Sequence, residues 1–509
     1  MPETSTNTSR IAKNTLLLYF RQILIMLVSL YTVRVVLNVL GAEDYGIYNV
    51  VAGVVTMFGF LSGAMATASQ RYFAFDLGKK DYEHLKTTFS VTFQIYVLLA
   101  AIIVVLAETI GLWFVMNKLV IPPERMTAAI WIYQAAVFSF LLTLITTPYM
   151  ASIIAHENMN IYAYVSIVEA VLKLGIVFLL QVIDSDKLVW YGLLLAIVAF
   201  INTSIYRTYC RKKYAECIFR YIKDKDLFKE LVSYSGWNLF GAGVGIVKGQ
   251  ALNILLNIYF GVIVNAARAI SSQVSAAVTS FSQNFNTALR PPIIKSYAVG
   301  DKTETLKLVW QGCKYTFFLM YIISLPLILE MSTILQIWLD NIPSYAVIFT
   351  QLEFIIVLVN SASVPIMTLA HATGKIKLYQ GLTGGLQLLI IPVAIFFLEL
   401  HSPAYSVLLV TLAFTMLSFF VRLIIVKHLV KFKLFDFVKY VIYPCFKVIC
   451  PTAGITLLYY LNSEQTITRM IITTLLSVVS IIICVIYLGM NVNERQVLLS
   501  KIKKYHVKN

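Results

Sequence analysis

The sequence predicts an all-α, polytopic membrane protein. Of the 509 residues, 59% are hydrophobic and only 13% are charged, whereas soluble globular proteins carry about 25% charged residues. The mean hydropathy is +0.79. Apolar runs long enough to cross a bilayer, which takes about 20 residues, recur along the chain. Lipid must therefore surround most of this apolar surface.

About fourteen apolar runs are predicted to be transmembrane helices. The last two lie outside the internal repeat described below, and the seventh and eighth are the most polar. In chain order the runs are roughly residues 14–38, 47–69, 87–108, 126–150, 160–182, 188–206, 231–257, 262–288, 308–330, 344–370, 378–398, 404–426, 438–460 and 467–488.

Lysine and arginine are concentrated in alternate loops, and the positive-inside rule then predicts that both termini are cytoplasmic. The net charge of +16 therefore suits the anionic inner leaflet, and no nucleic-acid partner is predicted. The cations of the even-numbered loops and the tail are Arg71, Lys79, Lys80 and Lys86; Arg207, Arg211, Lys212, Lys213, Arg220, Lys223, Lys225 and Lys229; Arg290, Lys295, Lys302 and Lys307; Lys375 and Lys377; and Arg495, Lys501, Lys503, Lys504 and Lys508.

Ordered internal matches predict two copies of a six-helix unit. Residues 41–71 align with 261–290, Pro148-x-Met150 with Pro365-x-Met367, and Ala155-His156 with Ala370-His371. Six helices return the chain to its starting side, so the copies are predicted to be parallel pseudo-symmetric repeats. The predicted organisation is a first lobe at 1–206, a basic cytoplasmic linker at 207–230, a second lobe at 231–427, and two additional helices with a basic tail at 428–509.

The eighth helix carries a polar stripe, whose members recur at alternating spacings of three and four and share one helix face. Such a stripe should avoid lipid and face protein or water, and a water-filled cavity is predicted. The second helix repeats the stripe more weakly, and small-residue packing explains it equally well. The stripe consists of Asn265, Arg268, Ser272, Ser275, Thr279, Ser282 and Asn286.

The seventh helix contains Gly241, Gly245 and Gly249 at intervals of four. This spacing is typical of a close-packing seam, and it also suits a helix that bends during transport. Asn253 and Asn257 of the same helix are predicted to join the polar lining.

Charged residues inside the predicted spans form a second group of candidates, because each is expensive in lipid. The substrate-binding candidates of a cationic cavity are Lys248, Arg268, Arg21, Lys173 and Lys314; Glu353 and Glu169 are the ion-coupling candidates. Glu169 and Lys173 are four residues apart and also suit simple mutual neutralisation. Since cations outnumber carboxylates, the set favours an anionic passenger such as a phosphate or pyrophosphate.

Motifs of covalent chemistry do not occur in the sequence. It contains no GxxxxGK[ST], HExxH or GxSxG pattern. The six histidines are scattered and the six cysteines form no CxxC pair. No catalytic residue, metal site or cofactor is predicted.

The segment 14–81 resembles the bacterial polysaccharide biosynthesis proteins that export O-antigen units. The resemblance lies in VRVVLNVLG at the end of the first helix, GAEDYGIYNV after it and SQRYFAFDLGKKD after the second. That family belongs to the multidrug, oligosaccharidyl-lipid and polysaccharide exporter superfamily. In topology the resemblance covers the whole chain.

The resemblance implies a flippase in the bacterial cytoplasmic (inner) membrane. Its cargo would be an O-antigen or capsule repeat unit linked through pyrophosphate to undecaprenol, moved from the inner to the outer leaflet by alternating access. Coupling to a proton or sodium gradient is implied by analogy. Expected partners are the lipid-linked oligosaccharide, membrane lipids, a polysaccharide polymerase and glycosyltransferases, and the protein is expected to be a monomer.

Other functions stay open at this stage. A multidrug exporter of the same superfamily would favour carboxylates in the cavity if it exchanged basic drugs for cations. A lipid II flippase would share the helix count and the cationic cavity. A membrane scaffold for glycosyltransferases needs no aqueous path, which the polar stripe predicts. A sugar polymerase would be expected to have a large periplasmic loop, and the longest outer loop covers only residues 109–125.

Overall fold

The computed structural model describes residues 2–56, 58–119, 121–339, 342–492 and 494–496. This part of the chain is built from helices and contains no β-strand. In order, the helices are α1 (Pro2–Thr56), α2 (Gly59–Lys79), α3 (Tyr82–Asn117), α4 (Met126–Ala155), α5 (Met159–Val182), α6 (Lys187–Lys213), α7 (Lys225–Phe260), α8 (Val262–Val299), α9 (Lys302–Trp338), α10 (Ala346–Ala372), α11 (Ile376–Glu399), α12 (Ser406–Val430), α13 (Leu434–Leu461) and α14 (Ile467–Gly489).

Eleven helices in the described part are long and apolar enough to cross a membrane. The other long helices are α1, α2 and α8. The sequence of α8 explains its absence from the eleven, because the polar stripe lowers its hydropathy. The helices are longer than the predicted spans: α7 and α8 have 36 and 38 residues, about 54 and 57 Å.

The chain divides into two compact units. The N-terminal unit comprises residues 11–242, and the C-terminal unit comprises residues 243–509 with residues 1–10. The division falls inside α7.

The two units repeat the same local structure about 220 positions apart. Gly41 interrupts α1 at φ 79° and ψ 167°, and Gly261 separates α7 from α8 at φ 78° and ψ −171°. This backbone region is essentially restricted to glycine. Asp81 accepts a hydrogen bond from the backbone N–H of His84 at the start of α3, as Asp301 does from Glu304 at the start of α9. The duplication is therefore present in the backbone and in its caps.

Helix packing repeats in the same way. In the N-terminal unit α4 packs against α2, α3 and α6; in the C-terminal unit α10 packs against α8, α9 and α12. The proline within each central helix, Pro148 of α4 and Pro365 of α10, occupies the matched position. Each unit has its own apolar core, around Val51, Ile132 and Leu188 in the first and around Leu252, Phe349, Phe354, Ile390 and Val407 in the second.

The last two helices pack on α9. Near the start of α14 the guanidinium of Arg469 donates two hydrogen bonds to Glu330 of α9, from Nε to Oε1 at 3.1 Å and from Nη2 to Oε2 at 3.0 Å. Beyond the end of α14, Glu494 accepts a hydrogen bond from Lys314 of α9, with Nζ and Oε2 2.7 Å apart. The additional helices are thus attached to the C-terminal unit by two largely buried ion pairs.

Candidate functional site

A cavity of about 570 Å³ lies within the C-terminal unit, along α8, and we call it the α8 cavity. Helices α7, α8, α10 and α12 supply its walls. Twelve of its seventeen lining residues are polar or charged, although most of the lining surface is apolar: Lys248, Arg268, Arg290 and Glu353 are charged; Thr279, Ser282, Gln283, Asn286, Thr287, Asn360, Ser361 and Thr411 are polar; Leu252, Ile356, Val357, Val364 and Met367 are apolar.

The lining of the α8 cavity draws on a long stretch of α8. Arg268 and Arg290 lie 22 residues apart on this helix and both line the cavity, so their Cα atoms are separated by about 33 Å along a straight helix. Polar and charged side chains along such a stretch in a chain of this hydropathy favour contact with water, solute or other helices over contact with lipid.

Arg268 and Glu353 form an ion pair in this lining, between Nη1 and Oε1. Both side chains are largely buried, at 14% and 13% exposure. The Nε atom of Arg268 is buried and has no hydrogen-bond partner in the described part of the chain. A guanidinium can donate hydrogen bonds to a second anionic oxygen, because its five N–H donors form a planar fork.

Lys248 of α7 lines the same cavity. It forms no ion pair within 4 Å with any residue that the structure describes. Among the described lining residues Lys248, Arg268 and Arg290 are cationic and Glu353 is a carboxylate, and this excess of positive charge suits an anion.

The side of the α8 cavity near Arg290 is rich in neutral hydrogen-bonding groups. Asn286 donates to the carbonyl oxygen of Ser282 at 2.8 Å and to its hydroxyl at 3.3 Å. The Oδ1 atom of Asn286 is buried and has no partner among the described residues. Asn360 and Ser361 approach from α10. These groups can hydrogen-bond a hydroxylated or phosphorylated solute.

Six of the site residues predicted from the sequence line the α8 cavity, namely Lys248, Arg268, Thr279, Ser282, Asn286 and Glu353. Asn265, Ser272 and Ser275 of α8 and Asn253 and Asn257 of α7 are not among its lining. A stripe at 3.5-residue spacing drifts by about 20° per heptad on a straight helix, hence by about 60° from Asn265 to Asn286, but this drift does not explain why Ser272 and Ser275, which lie between Arg268 and Thr279, are not in the lining.

The same drift explains which lining residues the sequence argument missed. Gln283, Thr287 and Arg290 each lie one to four positions beyond a stripe member, where a period near 3.6 places the cavity face. Asn360 and Ser361 were also missed. Their signal was present, since Asn360 follows Glu353 by seven residues and the six residues between the two are all apolar.

Arg21, Glu169 and Lys173 lie in the N-terminal unit and are not among the lining of the α8 cavity. Arg21 is buried, donates to the hydroxyl of Ser166 at 3.4 Å and lies 4.6 Å from the centre of the Tyr162 ring. Glu169 accepts hydrogen bonds from Lys173 at 2.7 Å and from Asn202 at 3.0 Å. The i,i+4 neutralisation that the sequence left open is therefore present in the structure.

Lys314 has a different role from the one its depth suggested. It is buried against Glu494 and does not line the α8 cavity. Its partner Glu494 follows α14, outside the internal repeat. The sequence pattern of α9 therefore could not predict this pairing. The described residues contain no group of three or more His, Cys, Asp or Glu that could hold a metal ion.

The comparisons with known proteins agree with this architecture. A transporter described as an outward-facing multidrug resistance MATE family member of the MOP superfamily superposes with a TM-score of 0.71 at 12% identity, covering 84% of this chain and 96% of that one. A MOP superfamily transporter from Pyrococcus furiosus Vc1 gives 0.67 at 11% identity, with 83% and 96% covered. The MATE transporter VcmN of Vibrio cholerae in its bent form gives 0.64 at 14%, with 86% and 100% covered.

These similarities establish the fold of a multi-pass membrane transporter. At the level of sequence, the model of the family described as polysaccharide biosynthesis protein matches residues 11–292, more than half of the chain. The chain therefore belongs to the polysaccharide biosynthesis protein family, and the resemblance inferred from residues 14–81 is confirmed. No curated protein sequence matches the chain significantly.

Proposed function

We propose that this protein is a flippase for undecaprenyl-pyrophosphate-linked oligosaccharide, an O-antigen or capsule repeat unit. It carries this lipid from the inner to the outer leaflet of the bacterial cytoplasmic membrane by alternating access. The observation that carries the proposal is the α8 cavity, in which Lys248, Arg268 and Arg290 outnumber Glu353. Membership of the polysaccharide biosynthesis family supports a glycan cargo.

The pyrophosphate is the part of such a lipid that most needs a protein partner, because its charge cannot cross hydrocarbon alone. Lys248 supplies an ammonium that has no ion-pair partner among the described residues, and Arg268 supplies a guanidinium that lines the cavity. Amides and hydroxyls at Asn286, Thr287 and Asn360 suit the sugar hydroxyls. The undecaprenyl chain stays in lipid, where it needs no polar path.

The proposed ion coupling rests on Arg268, which can pair either with Glu353 or with the cargo. In the empty cavity the carboxylate neutralises the guanidinium. When a phosphate oxygen bonds Arg268, it competes with Glu353 for the guanidinium. For an inward ion gradient to drive export, a proton or a sodium ion binds Glu353 from the outer side after the cargo has left and is released on the inner side before the next cargo binds.

The test is complementation of a strain that lacks its own flippase. Lys248→Ala should reduce surface polysaccharide strongly while membrane insertion is retained, because Lys248 has no ion pair to lose. Lys248→Arg, which keeps the cation, is the matched control and should retain most export. Full export by both Lys248→Ala and Arg268→Ala would falsify the cationic-cavity mechanism.

Coupling is tested separately in proteoliposomes. Collapse of the proton gradient and then of the sodium gradient should slow flipping by the wild type, and Glu353→Gln should be insensitive to the gradient that matters. Flipping that ignores both gradients excludes the coupling and leaves the cargo proposal standing.

Multidrug export by the same fold predicts a different result. A cationic drug is repelled by Lys248 and Arg268, so neutralising them would raise drug efflux while polysaccharide export stayed unchanged. Lipid II is separated from the proposed cargo by complementing a lipid II flippase deletion with the same plasmid.

A further inference from the structure

A short segment between α6 and α7, residues 214–224, is folded onto the N-terminal unit, and we call it the linker strap. Its first residues, Tyr214, Glu216 and Cys217, are buried. The Tyr214 ring stacks on His156 with centroids 4.0 Å apart and an 8° interplanar angle. Nε2 of His156 lies 2.5 Å from Oε1 of Glu216. The strap is thereby fixed at the end of α4.

A second set of contacts attaches the linker strap to α3. The backbone N–H of Arg220 donates to Oγ of Ser90 at 3.3 Å, and Nε2 of Gln94 donates to the carbonyl oxygen of Ile222 at 3.1 Å. The rings of Phe93 and Phe219 lie 5.1 Å apart. Backbone hydrogen bonds at two positions hold the strap at a defined level of α3.

The outer face of the linker strap combines apolar and cationic side chains. Ile218, Phe219 and Tyr221 are exposed, Tyr221 to 78%. Arg220 and Lys223 alternate with them and are exposed as well. The end of α6 and the start of α7 add the exposed cations Arg211, Lys212, Lys213 and Lys225.

The anchor points place this face near the edge of the hydrocarbon. Helix α3 has 36 residues and is about 54 Å long, whereas the hydrocarbon is about 30 Å thick. A centred α3 therefore extends about 12 Å beyond the hydrocarbon at each end. Ser90 lies eight residues from the first residue of α3, Tyr82, which is also about 12 Å. Tyrosines and cations at this level are typical of interfacial contact with lipid headgroups.

We propose that the linker strap is a binding surface for anionic phospholipid headgroups. Arg220 and Lys223 contact the phosphates, and Phe219 and Tyr221 enter the interfacial layer beside them. Charge complementarity selects the occupant, because residues 217–223 contain Arg220 and Lys223 and no carboxylate. Asp224 is half-buried and accepts a hydrogen bond from the backbone N–H of Leu227, and the exposed Asp226 is outnumbered by Arg211, Lys212, Lys213 and Lys225. An anionic leaflet attracts such a surface. The proposal is independent of the α8 cavity and of its cargo.

The test uses the full chain in nanodiscs, with Tyr221→Trp as a depth probe and the wild type for subtraction. Brominated phosphatidylglycerol should quench the added tryptophan at least about twofold more than brominated phosphatidylcholine at equal mole fraction, since each surface cation favours anionic lipid. Adding Arg220→Gln and Lys223→Gln should bring the two quenching values together.

The matched control is Lys375→Gln with Lys377→Gln, which removes two cations from another predicted cytoplasmic loop and should leave the preference unchanged. Equal quenching by both lipids in the parent protein overturns the proposal, as does a preference that survives loss of Arg220 and Lys223. A preference abolished by inorganic phosphate, but not by chloride of equal ionic strength, assigns the surface to free phosphate and also overturns it.

Discussion

The two units share one backbone plan but place their charges differently. In the C-terminal unit Lys248, Arg268 and Glu353 line the α8 cavity. The matched positions of the N-terminal unit are occupied by uncharged residues: Val28 and Tyr48 at the offset of the two glycine breaks, 220, and Ala136 at the offset of the two Pro-x-Met motifs, 217. Tyr48 and Ala136 pack against the apolar core.

The N-terminal unit in turn has charges that the other unit lacks. Arg21, Glu169 and Lys173 lie on α1 and α5. At the offset of each helix, 220 for α1 and 217 for α5, the second copy of the sequence repeat has Gly241, Leu386 and Ile390. The difference teaches that duplication preserved helix starts, caps and breaks, while the polar positions diverged. A transporter built this way can bind its cargo mainly in one unit.

The largest expected difference between the two units comes from neutralising the charges of each unit in turn. Lys248→Ala with Arg268→Gln and Glu353→Gln should lower export about 100-fold or more, since two charge-assisted contacts to the cargo are lost. Arg21→Gln with Glu169→Gln and Lys173→Gln should lower it by less than about tenfold. Surface polysaccharide per unit of membrane-inserted protein is the measurement. Equal losses from both sets would mean that the units share the cargo.

The second difference between the units is the attachment of α13 and α14. Among the described residues, the ion pairs that hold these helices occur only in the C-terminal unit. Glu330→Ala leaves the Arg469 guanidinium buried without its partner and should cost about 3–5 kcal/mol of folding free energy. Ile110 is the matched residue of α3 and is exposed, so Ile110→Ala is the control and should cost little. Thermal unfolding in detergent measures both. The double variant Glu330→Ala with Arg469→Ala should recover part of the loss; no recovery would contradict the pairing argument.

The helix breaks at Gly41 and Gly261 test a backbone feature that the two units share. Gly41→Ala and Gly261→Ala should each cost about 1–3 kcal/mol, because alanine is strained at φ 78–79° with ψ near 180°. Gly46→Ala and Gly245→Ala are the controls: both glycines are helical, no atom lies within 4 Å of an added Cβ, and the change should be neutral or stabilising. The thermal unfolding midpoints of these four variants and the wild type are the measurement. Unequal costs at the two breaks would argue against their equivalence.

The smallest expected effect is the pH dependence that Glu494 contributes to the C-terminal unit. Burial by itself would raise the pKa of Glu494, but the charge of Lys314 and hydrogen bonds from Lys314, Asn491 and Gln311 lower it below its ordinary value. A carboxyl with a lowered pKa stabilises the fold above its unfolded pKa, about 4.3, and that stability is lost as the pH falls through the folded value. The unfolding midpoint should therefore drop below about pH 4 more in the wild type than in Glu494→Gln. Parallel curves would exclude a contribution from Glu494.

Much of the fold could be predicted from the sequence because hydropathy and repeat offsets are local signals. The helix order, the duplication and the polar face of α8 all followed from them. The breaks at Gly41 and Gly261 could not, since the same residue also occurs inside helices, as at Gly46. The predicted gap at 39–46 is helical on both sides of Gly41.

The site was predicted in part. Periodicity identified α8 and Arg268, and depth identified Lys248 and Glu353. Depth alone could not assign Lys314, because its partner Glu494 is 180 residues away in sequence. Pairing across such distances is decided by tertiary packing, which no helical pattern encodes. Whether the α8 cavity lining binds cargo remains a prediction for the variants above.

The two ion pairs on α9 also bear on how the protein is made. Lys314 and Glu330 enter the membrane with α9, more than a hundred residues before Arg469 and Glu494 are synthesised. Until then both charges lack their partners in the membrane, a costly state. We expect chains that stop before α14 to be recognised as unfinished and degraded, so that the appended helices act as a check on complete synthesis.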